Sequence, residues 1–245
     1  MESYLVTPNL PKKSVCCVVA DSGMDEQAVR QLQTLGIRVI PTVEVSALQP
    51  AVSGHADMML HHLGGNRFAV AREVYAYYQK CFPDAVMISG TRTLKSDYPY
   101  DILYNCTALG QYVIGNLKNT ANEIVCEAET FLNVKQGYSK CSTCIVSEHA
   151  VITADLGIAE QCRKNGIEVL IITPGFIELP GVNYGFIGGA TGLLAPDLLA
   201  VNGELKTHPD GESIRAFCKM HGVSVCELKK GCITDVGSIF PILEC

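Results

Sequence analysis

The sequence predicts an α/β fold in which five strand–strand–helix–strand (ββαβ) repeats close into a five-bladed propeller with pseudo-five-fold symmetry. Two segments far apart in the chain match each other in register, and looser copies lie between and after them. A short extra strand is predicted before each copy except the first, and the strand missing there is found at the other end of the chain. Because an open array needs capping units at its ends, this complementarity favours a closed ring.

The two clearest copies are VVADSGMDEQAVRQLQTLGIRVIPT and VITADLGIAEQCRKNGIEVLIITP. Each is typical of a strand, an amphipathic helix, a glycine and a second strand. Asp21 and Asp155 are predicted to cap the two helices, since a carboxylate accepts hydrogen bonds from the free N–H groups of a first turn. Gly36 and Gly166 follow the helices, where a left-handed residue favours glycine.

The looser copies are RFAVAREVYAYYQKCFPDAVMISG, YVIGNLKNTANEIVCEAETFLNVKQ and LLAVNGELKTHPDGESIRAFCKMHGVSVCEL. The extra strands lie in SGHADMMLHHLGGN, LYNCTALGQ, GYSKCSTCIVSEH and YGFIGGATGLLAPD, and the first copy is completed by GCITDVGSIFPI from Gly231. We therefore expect one domain over residues 1–245. The alternative is an ordinary doubly wound sheet, which also alternates strands and helices, although no nucleotide-binding glycine motif accompanies it.

Composition narrows the classes of partner. The formal net charge is −6 with scattered Lys and Arg, which argues against a nucleic-acid partner. No signal peptide and no apolar run of roughly 18 residues is recognisable, so we expect a cytoplasmic protein without a membrane partner.

Many of the twelve cysteines lie in apolar strand-like runs and are interpreted as reduced core residues. The oligomeric state is left open.

Two motifs give the chain a resemblance to a known family. GHADMML, from Gly54, is similar to the G-H-x-D signature that supplies the catalytic histidine of the pentein superfamily, the guanidino-group-modifying enzymes. GCITDVGS, from Gly231, resembles the glycine-led strand that carries their nucleophilic cysteine. The superfamily includes deiminases, dimethylargininases and amidinotransferases, and a non-enzymatic ribosome anti-association factor has a similar fold. The chain most resembles a bacterial branch that lacks the usual C-terminal cysteine.

The second motif departs from the family at its key position. The resemblance places Asp235 where the nucleophilic cysteine is expected, while Cys232 lies three residues earlier and should face the other side of a strand. In a five-fold ring the equivalent positions of the leading strands converge on a central channel. His55 is predicted to lie on the same face of its strand as Asp57. The predicted set is Asp57, Asn105, Cys141, Gly189 and Asp235.

Three hypotheses compete for this set. In the first, Asp57, Asn105 and Asp235 bind a small cationic guanidino or amino compound without deiminase chemistry. In the second, the protein is a hydrolase of amidines in which Cys141 is a displaced nucleophile, His55 is its general base and acid, and the carboxylates, including Asp235, hold the substrate. In the third, the polar groups satisfy one another in a structural or ribosome-associated protein. We expect no cofactor and no metal, because the C-x-x-C spacing that begins at Cys141 has no second ligand motif.

Overall fold

The secondary structure follows one order five times around the chain. The computed structural model describes residues 2–245. In chain order its strands and α-helices are β1 (Ser3–Tyr4), β2 (Val15–Ala20), α1 (Glu26–Thr34), β3 (Arg38–Pro41), β4 (Leu60–Gly64), β5 (Arg67–Val70), α2 (Tyr75–Cys81), β6 (Val86–Ser89), β7 (Thr107–Leu109), β8 (Tyr112–Gly115), α3 (Asn122–Val125), β9 (Thr130–Asn133), α4 (Ser139–Ser142), β10 (Cys144–Ser147), β11 (Ala150–Thr153), α5 (Leu156–Lys164), β12 (Glu168–Ile171), β13 (Thr191–Ala195), β14 (Leu198–Val201), α6 (Gly211–Met220), β15 (Ser224–Glu227) and β16 (Phe240–Glu244).

These strands form five separate small sheets. In each sheet an antiparallel pair is followed by a parallel pair, and a helix connects the two parallel strands. We call each sheet with its helix a blade: β4–β5–α2–β6 is blade 1, β7–β8–α3–β9 blade 2, β10–β11–α5–β12 blade 3 and β13–β14–α6–β15 blade 4. The predicted ββαβ repeat is confirmed, and the doubly wound alternative is wrong because no single sheet runs through the molecule.

Blade 5 is built from both ends of the chain. Strand β16 pairs antiparallel with β2, with Phe240 opposite Val19 and Glu244 opposite Val15. Strand β2 then pairs in parallel with β3 across α1, and β1 pairs with the free edge of β16. The prediction that the two ends complete one repeat is therefore confirmed.

The helix ends agree with the sequence at one of the two predicted caps. Asp155 accepts a hydrogen bond from the N–H of Ile158 at 2.8 Å and caps α5, as expected. The cap of α1 is Asp25, whose carboxylate accepts from Gln27 N at 2.7 Å. Asp21 does not cap this helix, because an extra turn separates the end of β2 from Glu26, and its carboxylate accepts from Gly23 N inside that turn.

The predicted channel residues lie on turns or loop segments that precede the first strand of each blade, and not within the strands. Asp57 lies on a short 3₁₀ turn, Ala56–Met58, and Cys141 lies on the four-residue helix α4. Within the 3₁₀ turn the N–H of Met59 donates to the carbonyl of Ala56 at 3.1 Å. Such turns satisfy backbone groups locally, which matters at a centre where no neighbouring strand is available for pairing.

Apolar side chains fill the space between each helix and its sheet. Ile158 and Cys162 of α5 and Ile214 of α6 belong to one large buried cluster. All twelve cysteines have free thiols, and Cys17 and Cys218 are completely buried, in agreement with their interpretation as reduced core residues. Among the described residues, no helix has the length and apolar character required to cross a membrane.

Closure of the ring makes a testable prediction about β16. Ile242 is completely buried in β16, whereas Ile171 in β12 keeps 38% of its surface exposed. We expect Ile242→Ala to lower the free energy of unfolding by about 2–5 kcal/mol, because it leaves a cavity in blade 5. The matched Ile171→Ala control should cost less than about 1 kcal/mol. Urea unfolding monitored by circular dichroism would measure both, and equal costs would contradict an integral role for β16.

Candidate functional site

The turns of blades 1, 2 and 3 bring three predicted residues into direct contact. The side-chain amide of Asn105 donates to Asp57 Oδ1 at 3.1 Å and to Cys141 Sγ at 3.1 Å. The thiol of Cys141 donates to Asp57 Oδ2 at 3.0 Å. The Asn105 Oδ1 atom accepts from the backbone N–H groups of Lys140 and Cys141, at 2.9 and 3.2 Å. Asn105 therefore fixes the turn that carries the cysteine as well as the cysteine itself.

The turns of blades 4 and 5 also pack against each other. The Asp235 carboxylate accepts hydrogen bonds from the backbone N–H groups of Phe186 at 2.8 Å and Gly237 at 3.0 Å. A Cβ atom at Gly189 would lie only 1.9 Å from Asp235 Oδ1, so any side chain at this position would displace the carboxylate. All five predicted equivalents thus lie at one centre, with the blade 4 position occupied by the glycine that makes room for Asp235.

His55 is placed between two carboxylates. Its Nδ1 atom lies 3.8 Å from Asp235 Oδ1 and its Nε2 atom 3.9 Å from Asp21 Oδ2. Both distances exceed a hydrogen bond, and the buried Nδ1 atom has no hydrogen-bond partner among the described residues. Gly237, at φ +64°, allows this approach, because a Cβ atom there would lie 2.3 Å from the Cβ of His55.

A pocket of about 180 Å³ opens over His55, Cys141 and Asp235. The rest of its lining is uncharged: Gln49, Ala51, Val52, Tyr138, Leu179, Val182, Tyr184 and Phe186. Asp57 and Asn105 do not line it and are 0% and 1% exposed. They contact Cys141 from below the pocket floor, which differs from the expectation that both touch a ligand directly. The extended strand assumed in the sequence prediction would have placed them on the pocket surface.

A buried lysine completes the centre, and sequence reasoning missed it. Lys140 is 5% exposed, and its Nζ donates to Ser238 Oγ at 2.9 Å. The Ser238 hydroxyl lies 2.8 Å from Asp57 Oδ2, so serine links the ammonium to the carboxylate. The ammonium also lies 5.4 Å from the ring centroid of Phe240, within cation–π range. A charged residue beside the candidate cysteine, within the otherwise uncharged run GYSKCSTC, was the signal available in the sequence.

Burial shifts the pKa values of this centre. Desolvation lowers the pKa of Lys140, and the neighbouring Asp57 opposes that shift. Desolvation raises the pKa of the Cys141 thiol well above its usual value, and Asp57 and Asp235 raise it further. The pKa of Asp235 is raised to about 6 by burial, with His55 opposing and Asp57 adding to the shift. A positive charge in the pocket would therefore be favoured, since it would stabilise both the Asp235 carboxylate and a Cys141 thiolate.

His55, Cys141 and Asp235 offer ligand atoms that all lie within 4.8 Å of one another. These are residue types that bind zinc, but two of the three are already engaged, Asp235 by two backbone N–H groups and Cys141 by Asp57. Cys144, the other half of the C-x-x-C spacing, is not part of this set and begins strand β10. The expectation of no metal stays a prediction.

Several solved structures share this architecture at low sequence identity. The amidinotransferase SxtG of the saxitoxin pathway from Microseira wollei matches 91% of this chain and 92% of its own, with 10% identity and a TM-score of 0.54. A cysteine-to-serine mutant of DDAH from Pseudomonas aeruginosa, complexed with citrulline, matches 87% and 92% of the two chains, with 10% identity and a TM-score of 0.56. Agmatine deiminase from C. jejuni matches 94% and 90%, with 7% identity and a TM-score of 0.52.

These similarities define the class of fold as the pentein propeller found in guanidino-group-modifying enzymes, as the motifs predicted. The chain belongs to DUF6873, a family of unknown function whose model matches residues 19–240. No curated protein matches the sequence.

The buried lysine makes a prediction about stability. Lys140→Met should lower the free energy of unfolding by about 3–5 kcal/mol, because it leaves the Asp57 carboxylate buried without its cation. Lys206→Met is the matched control, since Lys206 pairs with Glu204 while its side chain is 73% exposed, and it should leave the free energy of unfolding almost unchanged.

The double variant Lys140→Met/Asp57→Asn separates pairing from packing. If the two charges compensate each other, the double variant should be more stable than the sum of the two single losses by about 1–3 kcal/mol. Urea unfolding of the four proteins gives this coupling energy. Strict additivity would show that Lys140 and Asp57 do not act as a pair.

Proposed function

We propose that this protein binds a small cationic molecule, carrying a guanidinium, amidinium or amino group, in the pocket over His55, Cys141 and Asp235. The observation that carries the proposal is the buried carboxylate of Asp235 at the floor of a pocket whose lining contains no lysine or arginine. Two backbone N–H groups donate to this carboxylate, but no lysine or arginine balances its buried charge, and a bound cation would reduce the cost of burying it. The cytoplasmic location is proposed with it and is supported by the twelve free thiols.

The distribution of charge supports a cation over an anion. Asp57 is balanced from below by Lys140 through Ser238, at 2.8 and 2.9 Å. Asp235 has no lysine or arginine partner, and the nearest ionisable side chain, the ring of His55, lies 3.8 Å away. A planar guanidinium or amidinium presents paired N–H donors to a carboxylate. Asp235 and the free Nδ1 of His55 are the groups that such a cation would meet.

The structural neighbours support the same class of ligand. Their names specify an amidinotransferase, an agmatine deiminase and a DDAH complexed with citrulline. Each of these names refers to guanidino chemistry or to its urea-like product. Their identity to this chain is no more than 10%, so the ligand class is argued here from Asp235 and His55, with the neighbours as secondary support.

Binding should depend on pH through Asp235. Burial in the folded protein raises the pKa of the Asp235 carboxyl to about 6. The neutral carboxyl is therefore favoured in the folded state, and its contribution to folding stability is lost as the pH rises through about 6. A guanidinium stays charged throughout this range, so its affinity should rise with pH and be about ten-fold lower at pH about 5 than at pH about 7.5. Isothermal titration calorimetry with methylguanidine, supported by thermal shift, would measure this difference.

Two variants test the assignment to Asp235. Asp235→Asn should reduce methylguanidine affinity at pH about 7.5 by at least about ten-fold and weaken its pH dependence, because the carboxylate charge is gone. Glu178→Gln is the control, since this exposed carboxylate lies beside Leu179 without lining the pocket. Affinity that is equal in Asp235→Asn and the wild type would refute the proposed cation site.

A second candidate function is hydrolysis of the bound guanidine or amidine, and the position of Cys141 favours it. Its Sγ lines the pocket within 4.8 Å of the ligand atoms of His55 and Asp235. The thiol would pass its proton to Asp57 Oδ2, 3.0 Å away, when a cation stabilises the thiolate. The thiolate would attack the central carbon, and the C–N bond would break as His55, entering the step as the imidazolium, donates its proton to the leaving amine or ammonia. Water would then attack the S–C intermediate while His55 takes up a proton from it, and the departing thiolate would recover its proton from Asp57.

Thiol labelling and turnover test this second candidate. A cationic haloacetamidine should modify Cys141 faster, relative to the exposed Cys232, than a neutral haloacetamide does, because Asp235 attracts the cation. Peptide mapping by mass spectrometry would give both rates, and methylguanidine should protect Cys141 alone.

In an assay for released ammonia or amine, Cys141→Ser should lose turnover, whereas the control Cys232→Ser should retain it. Turnover that persists in Cys141→Ser would refute this nucleophile. Binding without turnover in the wild type would leave cation binding as the function.

A further inference from the structure

The pocket above Asp235 has an unusual composition for a site that would take an amino acid. Among the described residues that line it there is no lysine or arginine, and the charged or ionisable groups gather at the floor. Ala51, Val52, Leu179 and Val182 supply aliphatic surface. The one amide, Gln49, already donates from Nε2 to the carbonyl of Ser96 at 3.2 Å.

Aromatic rings supply most of the remaining lining. Tyr138 and Phe186 lie nearly parallel, with ring centroids 6.2 Å apart and an interplanar angle of 25°. Tyr184 meets Phe186 edge-on at 6.0 Å. The hydroxyl of Tyr138 is bound to the carboxylate of Asp101, so it is not free to meet a ligand. This wall presents carbon surface to whatever follows the cationic group.

From this lining we infer that the natural ligand is an alkyl or aryl guanidine or amidine with an apolar tail, and not a zwitterionic amino acid such as arginine. The inference rests on the proposed cation site and adds the chemical class of the rest of the ligand. An α-carboxylate in this pocket would lose its water without gaining a cationic partner. It would also lie in the same pocket as Asp235, whose charge would repel it. An apolar tail would instead bury its surface against the aliphatic and aromatic walls.

Three ligands with the same head group test this inference in the wild-type protein by calorimetry at pH about 7.5. Methylguanidine supplies the head alone, butylguanidine adds three methylenes, and arginine adds a zwitterionic end. Since burying a methylene is worth about a four-fold gain in affinity, butylguanidine should bind at least about ten-fold more tightly than methylguanidine. Arginine should bind more weakly than butylguanidine by about ten-fold or more.

A change at the pocket wall should weaken this preference. Leu179→Arg places a guanidinium in the lining, so the affinity of arginine relative to butylguanidine should rise, even though pairing of the new side chain with Asp235 would weaken binding of both head groups. Leu179→Met is the matched control, because it keeps the volume and the apolar character and should preserve the wild-type order. Circular dichroism and thermal unfolding would establish that both variants are folded.

The outcomes separate this inference from the proposed function. If methylguanidine, butylguanidine and arginine all fail to bind, the cation site itself is refuted. If all bind but arginine equals or exceeds butylguanidine, the cation site stands and the apolar-tail inference is overturned. Equal affinities for methylguanidine and butylguanidine would also overturn it, since the walls would then contribute nothing.

Discussion

The pairing of β16 with β2 is the constraint on which the rest of the structure depends. It joins residues from the two ends of the chain into one sheet, with Phe240 opposite Val19. The segment that leads into β16 carries Asp235 and Ser238, which meet His55 and Asp57 from blade 1. The candidate site therefore forms only when the ring is closed, because neither half of blade 5 can place these groups alone. Fold stability and site geometry are linked through this one strand pair.

The centre of the ring holds one pair of opposite charges, Lys140 and Asp57, and one carboxylate, Asp235, that has no lysine or arginine partner. Lys140 and Asp57 face each other through Ser238, on the side of Cys141 that is away from the pocket. The backbone of Ser238 has φ +76°, a left-handed conformation that is uncommon for serine, and it carries the hydroxyl between ammonium and carboxylate. Asp235 lies on the pocket side without such a partner. This separation leaves the Asp235 carboxylate available to a ligand.

The repeat and the equivalent positions could be predicted from the sequence because both are encoded locally. Helical periodicity, the cap at Asp155 and the glycines at 36, 166 and 222 that follow three of the helices define the unit. Counting within units then brings Asp57, Asn105 and Cys141 together, and the structure places them in contact. The depth of these residues could not be predicted, because the counting assumed extended strands with alternating sides, whereas the chain forms short turns at the centre.

Asp21 and Lys140 show a second limit of prediction from sequence. Asp21 follows a strand and precedes a helix, which is a cap signal, and only tertiary packing places it 3.9 Å from His55. Lys140 precedes Cys141 in a four-residue helix, where adjacent side chains point in different directions. Its burial is possible only because Ser238 arrives from blade 5. The particular contacts of Asp21 and Lys140 depend on side chains from other blades, which the repeat pattern does not specify.

Because each blade delivers one turn to the same centre, the five positions are related by rotation about the ring. A reactive side chain exchanged between two such turns would approach the same pocket from another direction without any change in the scaffold. Cys141 of blade 3 and Asp235 of blade 5 fit this description. The fold brings one position from each blade to the central site, and it does not determine which blade supplies which chemical group.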